Sequence, residues 1–401
     1  MIASPLFLKD CGIVTALGRG KADVARALFA GSDSGIVLRE GLVPEQSVYV
    51  GAVKGDLPDP PAALRDLDCR NNRLMQVALM EIAPAVEHAI ERYGKHRVAV
   101  VLGTSTSGIS DGEDALTVYQ KTGAWADNFH YRQQEISSLS TFTAQFFGLT
   151  GLAYTVATAC SSSAKVFASA RRLIRAGLAD AAIVGGADTL CRTTLNGFNS
   201  LELLSDKKCN PFSANRNGIT IGEGAAAFLM GTEESSVQFL GAGETSDAHH
   251  LTAPDPEGNG ARHAMQQALD DAALTPSDIA YINLHGTATP LNDAMEARAV
   301  AALFGSQTPC SSTKGMTGHM LGATGGCEAA FMWLALNPET NTEFLPPHVW
   351  DGVSDPALPV LNFVRTGTRL PKDKPLAMLS NSFGFGGSNA SLIFGRRQPR
   401  A

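Results

Sequence analysis

Short apolar runs recur along the chain and predict buried strands. The clearest are Val98–Leu102, Tyr154–Thr158, Ala181–Val184 and Ile279–Leu284. They are apolar throughout and do not alternate with polar residues, which is typical of strands covered on both faces. Glycines stand at the ends of several runs, where a turn or a close approach would need them.

Amphipathic helical stretches lie between these runs, at Leu74–Ala89, Ala261–Ala272 and Asp293–Phe304. A further helix is predicted after Cys160, and Gly177 is its expected end. Alternating strands and helices predict an α/β fold with covered sheets. The polar stretch Gly231–Gln238 suggests two parts, an N-terminal half over residues 1–240 and a C-terminal half over 241–401.

Composition narrows the classes of function. The 401 residues are 44% hydrophobic and carry a net charge of −7, which argues against nucleic acid as the main partner but leaves room for a local basic patch. We see neither a membrane-spanning apolar run nor a signal peptide, and therefore expect a cytoplasmic protein without membrane insertion. Seven cysteines without a CxxC pair fit neither a zinc nor a disulfide framework, so we expect no bound metal. They are Cys11, Cys69, Cys160, Cys191, Cys209, Cys310 and Cys327.

Cys160 stands apart from the other cysteines because of the window TVATACSSSAKVFASARRLI. A buried strand ends just before it and an amphipathic helix begins just after it. The N–H groups and the dipole at a helix N-terminus favour a thiolate. A buried structural cysteine followed by capping serines is an equally good interpretation of this window alone.

His285 lies in the window INLHGTATPLNDAMEARAV, between a strand and a helix. A histidine at the end of a buried strand, before a glycine, is expected to point into a cleft. Thr287 and Thr289 offer hydroxyl groups beside it that suit an amide-containing substrate arm, although ordinary turn chemistry would also explain them.

Lys314 and His319 share the glycine-rich window SSTKGMTGHMLGATGGCEAA. A buried lysine needs a partner, and we expect Glu296, on the helix after His285, to be that partner. The alternative is a flexible surface loop with a solvated lysine. Near the C-terminus, SNSFGFGGSNASLIFG surrounds Phe385 with glycines, so that a free backbone N–H there could bind an oxyanion, although a plain hairpin is the simpler interpretation.

Together these windows resemble the Cys-His-His type of β-ketoacyl–acyl-carrier-protein synthase. The order is Cys160, HGTATP, STKGMTGHMLGATGG and NSFGFGGSN, supported by GFNSLELLS, NPFSANRNGITIGEGAA and SDAHHLTAPDPEG. The resemblance runs from Leu17–Gly18 to Phe394. It implies a thiolase fold, in which two similar halves form a five-layered α-β-α-β-α sandwich.

The resemblance also implies an acyltransferase that performs a decarboxylating Claisen condensation. Cys160 would carry the acyl chain, and the N–H groups of Cys160 and Phe385 would form the oxyanion hole. His285 and His319 would stabilise the enolate formed from malonyl-carrier, and Lys314 and Glu296 would hold the site in place. The pantetheine-binding and pocket residues would be Thr287, Thr289, Phe385 and Phe198.

Substrates of such enzymes arrive on the 4′-phosphopantetheine of an acyl carrier protein, so no cofactor bound to the enzyme itself is implied. The enzyme would be a homodimer or a heterodimer with a related ketosynthase-like subunit. Carrier proteins are acidic, and Arg70 and Arg73 in CRNNRLMQVAL are candidates for binding one, although solvated helix residues would look the same.

Two departures from the family pattern are visible. Ser213, Asn217 and Ile219 replace residues of the usual PFD…RDGF motif, and Gly103–Gly108 reads GTSTSG where a GSGxGG loop is common. Thr106 would then stand near the acyl pocket. This suggests a specialised substrate, such as an aryl-polyene-type or other polyketide chain.

Three alternatives remain open at this point. A chain-length-factor-like subunit of the same fold would lack the nucleophile, which is present here. A thiolase-like enzyme using free CoA would need a second acid/base cysteine, and Cys327 in GGCEAA is the candidate, although we expect it to be a packing residue. A pure binding module would not need this set of residues.

Overall fold

The computed structural model of the chain describes residues 4–341, 343–371 and 376–396. Its helices are α1 Lys21–Ala30, α2 Arg70–Tyr93, α3 Ile109–Thr122, α4 Ser138–Phe147, α5 Ser162–Arg175, α6 Arg192–Ser200, α7 Asn259–Ala272, α8 Pro290–Phe304, α9 Lys314–Thr317 and α10 Thr324–Leu336. Its strands are β1 Leu6–Thr15, β2 Gly18–Arg19, β3 Ile36–Val43, β4 Gln46–Gly51, β5 Val98–Gly103, β6 Ala153–Val156, β7 Ala181–Asp188, β8 Ile221–Gly222, β9 Gly224–Gly231, β10 Val237–Ser246, β11 Ile279–Asn283, β12 Pro309–Ser311, β13 Asn362–Phe363, β14 Ala377–Gly384 and β15 Ser388–Arg396.

The predicted strands and helices are present, with shifted ends. The expectation that the run Tyr154–Thr158 is buried is wrong, because β6 is the edge strand of the sheet and Tyr154 is exposed. The four apolar runs become β5, β6, β7 and β11, and the four helical stretches become α2, α5, α7 and α8. α2 is eight residues longer than the predicted stretch, beginning at Arg70 and ending at Tyr93. Helix α5 begins two residues after Cys160, at Ser162, and ends just before the expected Gly177.

The main sheet contains the same strand pattern twice. Outward from its centre, the N-terminal half runs β1, β9, β7, β5, β6, and the C-terminal half runs β10, β15, β14, β11, β12, with β13 added at the edge. In each half the first two pairings are antiparallel and the next two are parallel. The halves join where β1 pairs with β10.

Alternate side chains of each strand enter different hydrophobic clusters. Val98 and Val100 of β5 pack outward with α2 and α4, whereas Ala99 and Val101 pack inward with α5 and α10. In the C-terminal half, Leu379 of β14 packs outward with α7 and α8, and Met378 packs inward. β5, β7 and β11 are buried along their whole length, as expected for strands covered on both faces.

The layers are therefore α2 and α4, one half of the sheet, α5 and α10, the other half, and α7 and α8. This confirms the expected five-layered α/β arrangement of the thiolase fold. Every residue of α10 is buried, as expected for a helix in a central layer. In the part of the chain that the structure describes, no helix has the length and apolarity needed to cross a bilayer.

The two central helices cross at small residues. A Cβ added to Gly325 of α10 would lie 2.7 Å from the backbone nitrogen of Ala164 in α5, so this contact requires glycine. One residue further on, the N–H of Gly326 donates to Ser163 Oγ at 2.7 Å. The close crossing brings the N-termini of α5 and α10 side by side, and these two N-termini carry the candidate chemistry.

Candidate active site

Cys160 lies in a tight turn between β6 and α5. Ala159, just before it, adopts the left-handed conformation with φ 52°, which costs free energy in a residue with a side chain. Ser162 holds the turn closed, because its Oγ accepts from the N–H of Thr158 at 2.9 Å and donates to the carbonyl of Ala159 at 2.6 Å. The expected serine-rich strand-to-helix turn is thus present, and it presents the sulfur at the mouth of α5.

His285 follows β11 directly, and a buried carboxylate fixes its backbone. Glu296, on α8, accepts from the N–H groups of His285 and Gly286 at 2.8 and 2.7 Å. Asn381 donates to the same carboxylate at 3.1 Å. Burial raises the pKa of Glu296 to about 7, whereas the two backbone N–H groups lower it. Glu296 therefore positions the histidine loop through the backbone.

The predicted pairing of Lys314 with Glu296 is wrong. Lys314 Nζ lies 2.6 Å from Oε1 of Glu328 on α10, and both side chains are almost completely buried. The Glu296 carboxylate instead accepts hydrogen bonds from the backbone of the His285 loop. Glu328 lies in α10, the helix that follows the segment with Lys314 and His319, and every residue of this helix is buried.

His319 joins the two halves at the nucleophile. Its Nε2 lies 3.0 Å from Cys160 Sγ, and its Nδ1 lies 3.1 Å from Thr324 Oγ1. The His285 ring stands nearly perpendicular to it, with ring centroids 5.3 Å apart. Among the described residues, the buried Nδ1 of His285 has no hydrogen-bond partner.

These groups line one cavity of about 250 Å³. Cys160, His285 and His319 form its floor, and Thr287, Thr289, Phe198, Phe383 and Phe385 are among its walls. Cys160 itself is only 7% exposed. A larger cavity of about 500 Å³ lies beside Trp350 and Phe363, but it contains no cysteine and is not a candidate for this chemistry.

The electrostatics of the cavity favour neutral imidazoles. Burial, assisted by the positive charge of Lys314, holds the pKa of both His285 and His319 well below the ordinary histidine value. Burial also raises the pKa of the Cys160 thiol to about 11, although Lys314 and the backbone N–H of Phe385 lower it. The expected ready-made thiolate is therefore replaced by a thiol that faces a neutral base at hydrogen-bond distance.

The loop around Phe385 brings a backbone donor to the sulfur. The N–H groups of Phe385 and of Cys160 itself both lie close enough to Sγ to lower its pKa. Gly386 adopts φ 77° and donates its N–H to the carbonyl of Leu251 at 2.7 Å, which fixes the loop. The rings of Phe198 and Phe385 are 5.6 Å apart across the cavity. Both residues line the cavity.

Cys160, His285 and His319 also form a group that could bind a metal ion, since their ligand atoms lie within 4.8 Å of one another. In tetrahedral zinc sites, however, a sulfur and a nitrogen ligand are about 3.6 Å apart. The 3.0 Å separation between Sγ and Nε2 fits a hydrogen bond better. The site as built therefore suits proton transfer.

Three predicted binding residues lie elsewhere. Thr106 is fully buried, and its Oγ1 donates to Asp188 at 2.7 Å, so it does not line the cavity. Arg70 is paired with Glu223 at 2.6 Å, and Arg73 is paired with Asp68 at 2.6 Å and with Asp59 at 2.7 Å. Neither arginine lines the cavity, and their binding to a carrier protein stays a prediction.

Three polar residues around the site were not predicted from the sequence. Glu328 is the single acid in the apolar stretch TGGCEAAFMWLAL, a pattern that indicates a buried charge in need of a partner. Asp188 ends β7 and accepts from the N–H groups of Thr106 and Ala323 at 2.7 and 2.9 Å, tying the two halves together. No sequence pattern pointed to Thr324, because its contact with the His319 ring depends on the tertiary structure.

Comparison with known proteins settles the family. The chain matches the N-terminal domain of β-ketoacyl synthases over residues 63–236 and their C-terminal domain over residues 237–349. The chain belongs to the β-ketoacyl synthase family. A curated relative, 3-oxoacyl-[acyl-carrier-protein] synthase 2 of Staphylococcus aureus, is 34% identical over 346 residues, which cover 81% of this chain and 84% of the relative.

Two solved structures of ketosynthases with chain length factors are also similar. A chain of the ketosynthase–chain length factor complex from Xenorhabdus doucetiae is 45% identical, with a TM-score of 0.93 and 98% of each chain covered. A chain of the ishigamide ketosynthase/chain length factor is 25% identical, with a TM-score of 0.87, covering 99% of this chain and 100% of that one. This β-ketoacyl synthase is accordingly an acyltransferase-class condensing enzyme.

The structure also argues against the thiolase-like and the chain-length-factor-like interpretations. Cys327, the candidate second cysteine of a thiolase-like enzyme, is fully buried in the central core and does not line the cavity. The cysteine that a chain-length-factor-like subunit would lack is present as Cys160, and its sulfur lies at hydrogen-bond distance from His319.

Proposed function

We propose that this ketosynthase condenses an acyl chain held on Cys160 with malonyl-carrier, giving 3-oxoacyl-carrier, CO₂ and free carrier. One observation carries the proposal: Cys160 Sγ and His319 Nε2 are 3.0 Å apart on the floor of a cavity, with the His285 ring beside them. A nucleophile, its base and a second imidazole thus converge on one space.

In the first half-reaction, neutral His319 takes the proton of Cys160 as the sulfur attacks the acyl thioester. The N–H groups of Cys160 and Phe385, which lie close to Sγ, would bind the oxyanion. The leaving carrier thiolate takes a proton from the imidazolium and departs as a thiol. Covalent catalysis in this form divides one difficult condensation into two easier steps.

In the second half-reaction, malonyl-carrier enters and loses CO₂. Neutral imidazoles with an N–H directed at the thioester carbonyl stabilise the enolate that forms. His285 suits this role because its ring lines the cavity and its pKa stays low. The carbanion then attacks the acyl group on Cys160 and releases its thiolate. This thiolate takes up a proton from solvent, because the original thiol proton left with the free carrier in the first half-reaction.

The carrier arm would lie along Thr287 and Thr289, whose hydroxyl groups are 3.2 Å apart in the cavity wall. Substrates would stay attached to the 4′-phosphopantetheine of the carrier, so we propose no cofactor of the enzyme's own. A cytoplasmic location stays a prediction from the sequence.

We further propose a specialised polyketide or aryl-polyene-type chain as substrate, and a related ketosynthase-like subunit as partner. The similar Xenorhabdus doucetiae structure pairs a ketosynthase with a chain length factor. Edge strand β6 fits such a pairing, because Leu152 and Tyr154 beside its free edge are 46% and 36% exposed.

Intact-mass analysis with a panel of acyl-carriers, with and without a co-expressed partner subunit, tests the proposal. We expect an acyl adduct on the native enzyme, its loss in Cys160→Ala, and release of the adduct as 3-oxoacyl-carrier when malonyl-carrier is added. Cys327→Ala is the matched control and should still be acylated. No adduct with any donor, or an adduct that survives Cys160→Ala, would refute the proposal.

A further inference from the structure

The two histidines of the cavity differ at the nitrogen that faces away from the substrate. His319 Nδ1 lies 3.1 Å from Thr324 Oγ1. His285 Nδ1 is buried and has no partner in the described part of the chain. One imidazole therefore has a hydroxyl group behind it, and the other has none.

A neutral imidazole has one N–H donor and one nitrogen acceptor, and the two can exchange places. When Cys160 donates its proton toward Nε2, the ring proton is on Nδ1 and needs an acceptor. When Nε2–H faces a thioester carbonyl, Nδ1 is an acceptor and needs a donor. A hydroxyl group can serve in both cases, because it both donates and accepts.

We propose that Thr324 is a positioning residue that supports His319 in both forms, as base for Cys160 and as donor to the malonyl thioester. His285, without such a partner, serves as a donor only, with its proton on the nitrogen that faces the cavity. The inference rests on the proposed function, since it assigns the histidines to the two half-reactions.

The groups around His319 favour a neutral hydroxyl group, rather than a carboxylate, as the partner of its Nδ1. The ionisable groups near its ring are Cys160, His285 and Lys314. The carboxylate of Glu328 is bonded to Lys314, and that of Asp188 is bonded to the backbone of Ala323. None of the described carboxylates is bonded to the ring. A carboxylate at Nδ1 would hold the proton there and fix the ring as a base.

Thr324 is also well placed to hold the ring still. It is fully buried as the first residue of α10, whose N-terminus is fixed by the close crossing with α5. The partial positive charge at a helix N-terminus opposes an imidazolium, in keeping with a neutral resting ring. The same element thus sets both the orientation and the protonation of His319.

A matched set of variants tests the role. Thr324→Val keeps the shape and removes the hydroxyl, whereas Thr324→Ser keeps the hydroxyl. Thr143→Val is the control, since Thr143 is equally buried but donates to Leu139 within α4. Alkylation of Cys160 by iodoacetamide between pH 6 and 10 reports thiolate formation without any carrier substrate, and acylation by acyl-carrier reports the first half-reaction.

We expect Thr324→Val to slow alkylation near neutral pH by roughly ten-fold to one-hundred-fold, the effect of losing one hydrogen bond to a charged group. Its rate-against-pH curve should move to higher pH, because the imidazolium that accompanies the thiolate loses its acceptor. Acylation should fall in parallel, whereas Thr324→Ser and Thr143→Val should retain the native curve.

An unmoved pH curve in Thr324→Val, even with a lower rate, would overturn the inference, since that is what a purely structural role predicts. A serine variant no better than the valine variant would overturn it too. If the native enzyme formed no acyl adduct while the alkylation curve still moved, the proposed function would fail and the hydrogen-bonding role of Thr324 would stand.

Discussion

The two halves of this ketosynthase share one strand pattern but carry different polar groups. β6 leads to Cys160 and α5 in the N-terminal half, and β12 leads to Lys314, His319 and α10 in the C-terminal half. In the N-terminal half, the buried carboxylate of Asp188 accepts hydrogen bonds from N–H and O–H groups. Among the described residues, no cationic side chain is bonded to it. The C-terminal half buries Lys314 against Glu328.

Under the proposed function, equivalent parts of the two halves perform different tasks. In the half that contains Cys160, the buried carboxylate of Asp188 raises the pKa of the thiol and so opposes its activation. The other half provides the base at 3.0 Å and the cation that lowers the pKa of both histidines and of the thiol. The nucleophile is therefore expected to depend on the opposite half.

The largest effect should follow from removing the base. We expect His319→Ala to slow acylation of Cys160 by about 10²- to 10⁴-fold, the usual contribution of a general base. His285→Ala should slow acylation far less and should mainly reduce malonyl decarboxylation. Rapid-quench intact-mass measurements and CO₂ release separate the two, and equal losses of acylation in both variants would contradict the division of tasks.

Removing the buried cation should cost stability. Lys314→Met leaves Glu328 buried without its partner, and we expect a loss of about 3–5 kcal/mol in the free energy of unfolding. Adding Glu328→Gln should recover much of that loss, because no uncompensated charge remains. Urea unfolding of the single and double variants measures this, and equal stability of the two would show that the pair is not coupled.

Separating the two central helices should affect both stability and rate. Gly325→Ala places a methyl group 2.7 Å from Ala164, and we expect overpacking to cost about 1–3 kcal/mol. Acylation should also slow, because the distance from Cys160 to His319 would increase.

Gly197→Ala is the matched control for that helix crossing. Gly197 lies in α6 with open space around it, so alanine there should stabilise the protein by roughly 0.5–1 kcal/mol. Thermal unfolding and acylation rates of both variants provide the comparison. A Gly325→Ala variant as stable and as active as Gly197→Ala would show that the crossing does not set the site geometry.

The smallest effect concerns pH. The neutral form of His319 is the proposed base, and its pKa lies well below the ordinary value of about 6.5, so acylation should lose rate only below that pH. Lys314→Met with Glu328→Gln removes the positive charge that lowers this pKa, and the acid-side fall should move to higher pH. Acylation rates between pH 5 and 8 measure both curves. An acid-side midpoint at or above 6.5 in the native enzyme would contradict the argument.

Much of the molecule could be predicted from local sequence. The apolar runs predicted β5, β7 and β11 because strands covered on both faces need no polar positions. The strand–turn–helix pattern around Cys160 and the strand–histidine–glycine pattern at His285 placed both residues at element ends. The resemblance to condensing enzymes added the thiolase fold and grouped both residues with His319 and Phe385.

Most of the errors concern the partners of side chains, although β6, predicted to be buried, is an exposed edge strand. Glu296 was paired with Lys314 because it stood on a helix near His285, but it binds backbone N–H groups instead. Thr106 was placed in the pocket from a loop motif, although its hydroxyl is used by Asp188. A motif gives the identity of a polar group, but its hydrogen bonds depend on which other groups are buried nearby.

By itself, the sequence determined the strands, the helices and the residue types that can perform acyl transfer, because periodicity and turn chemistry act over a few neighbouring residues. Only the tertiary structure decided that Sγ and Nε2, 159 residues apart in the chain, lie 3.0 Å from each other. It also decided that Glu328 neutralises Lys314 and that Thr324 faces His319. The physical reason is that α5 and α10 cross closely. Their crossing packs side chains from segments that are far apart in the chain into the same buried region.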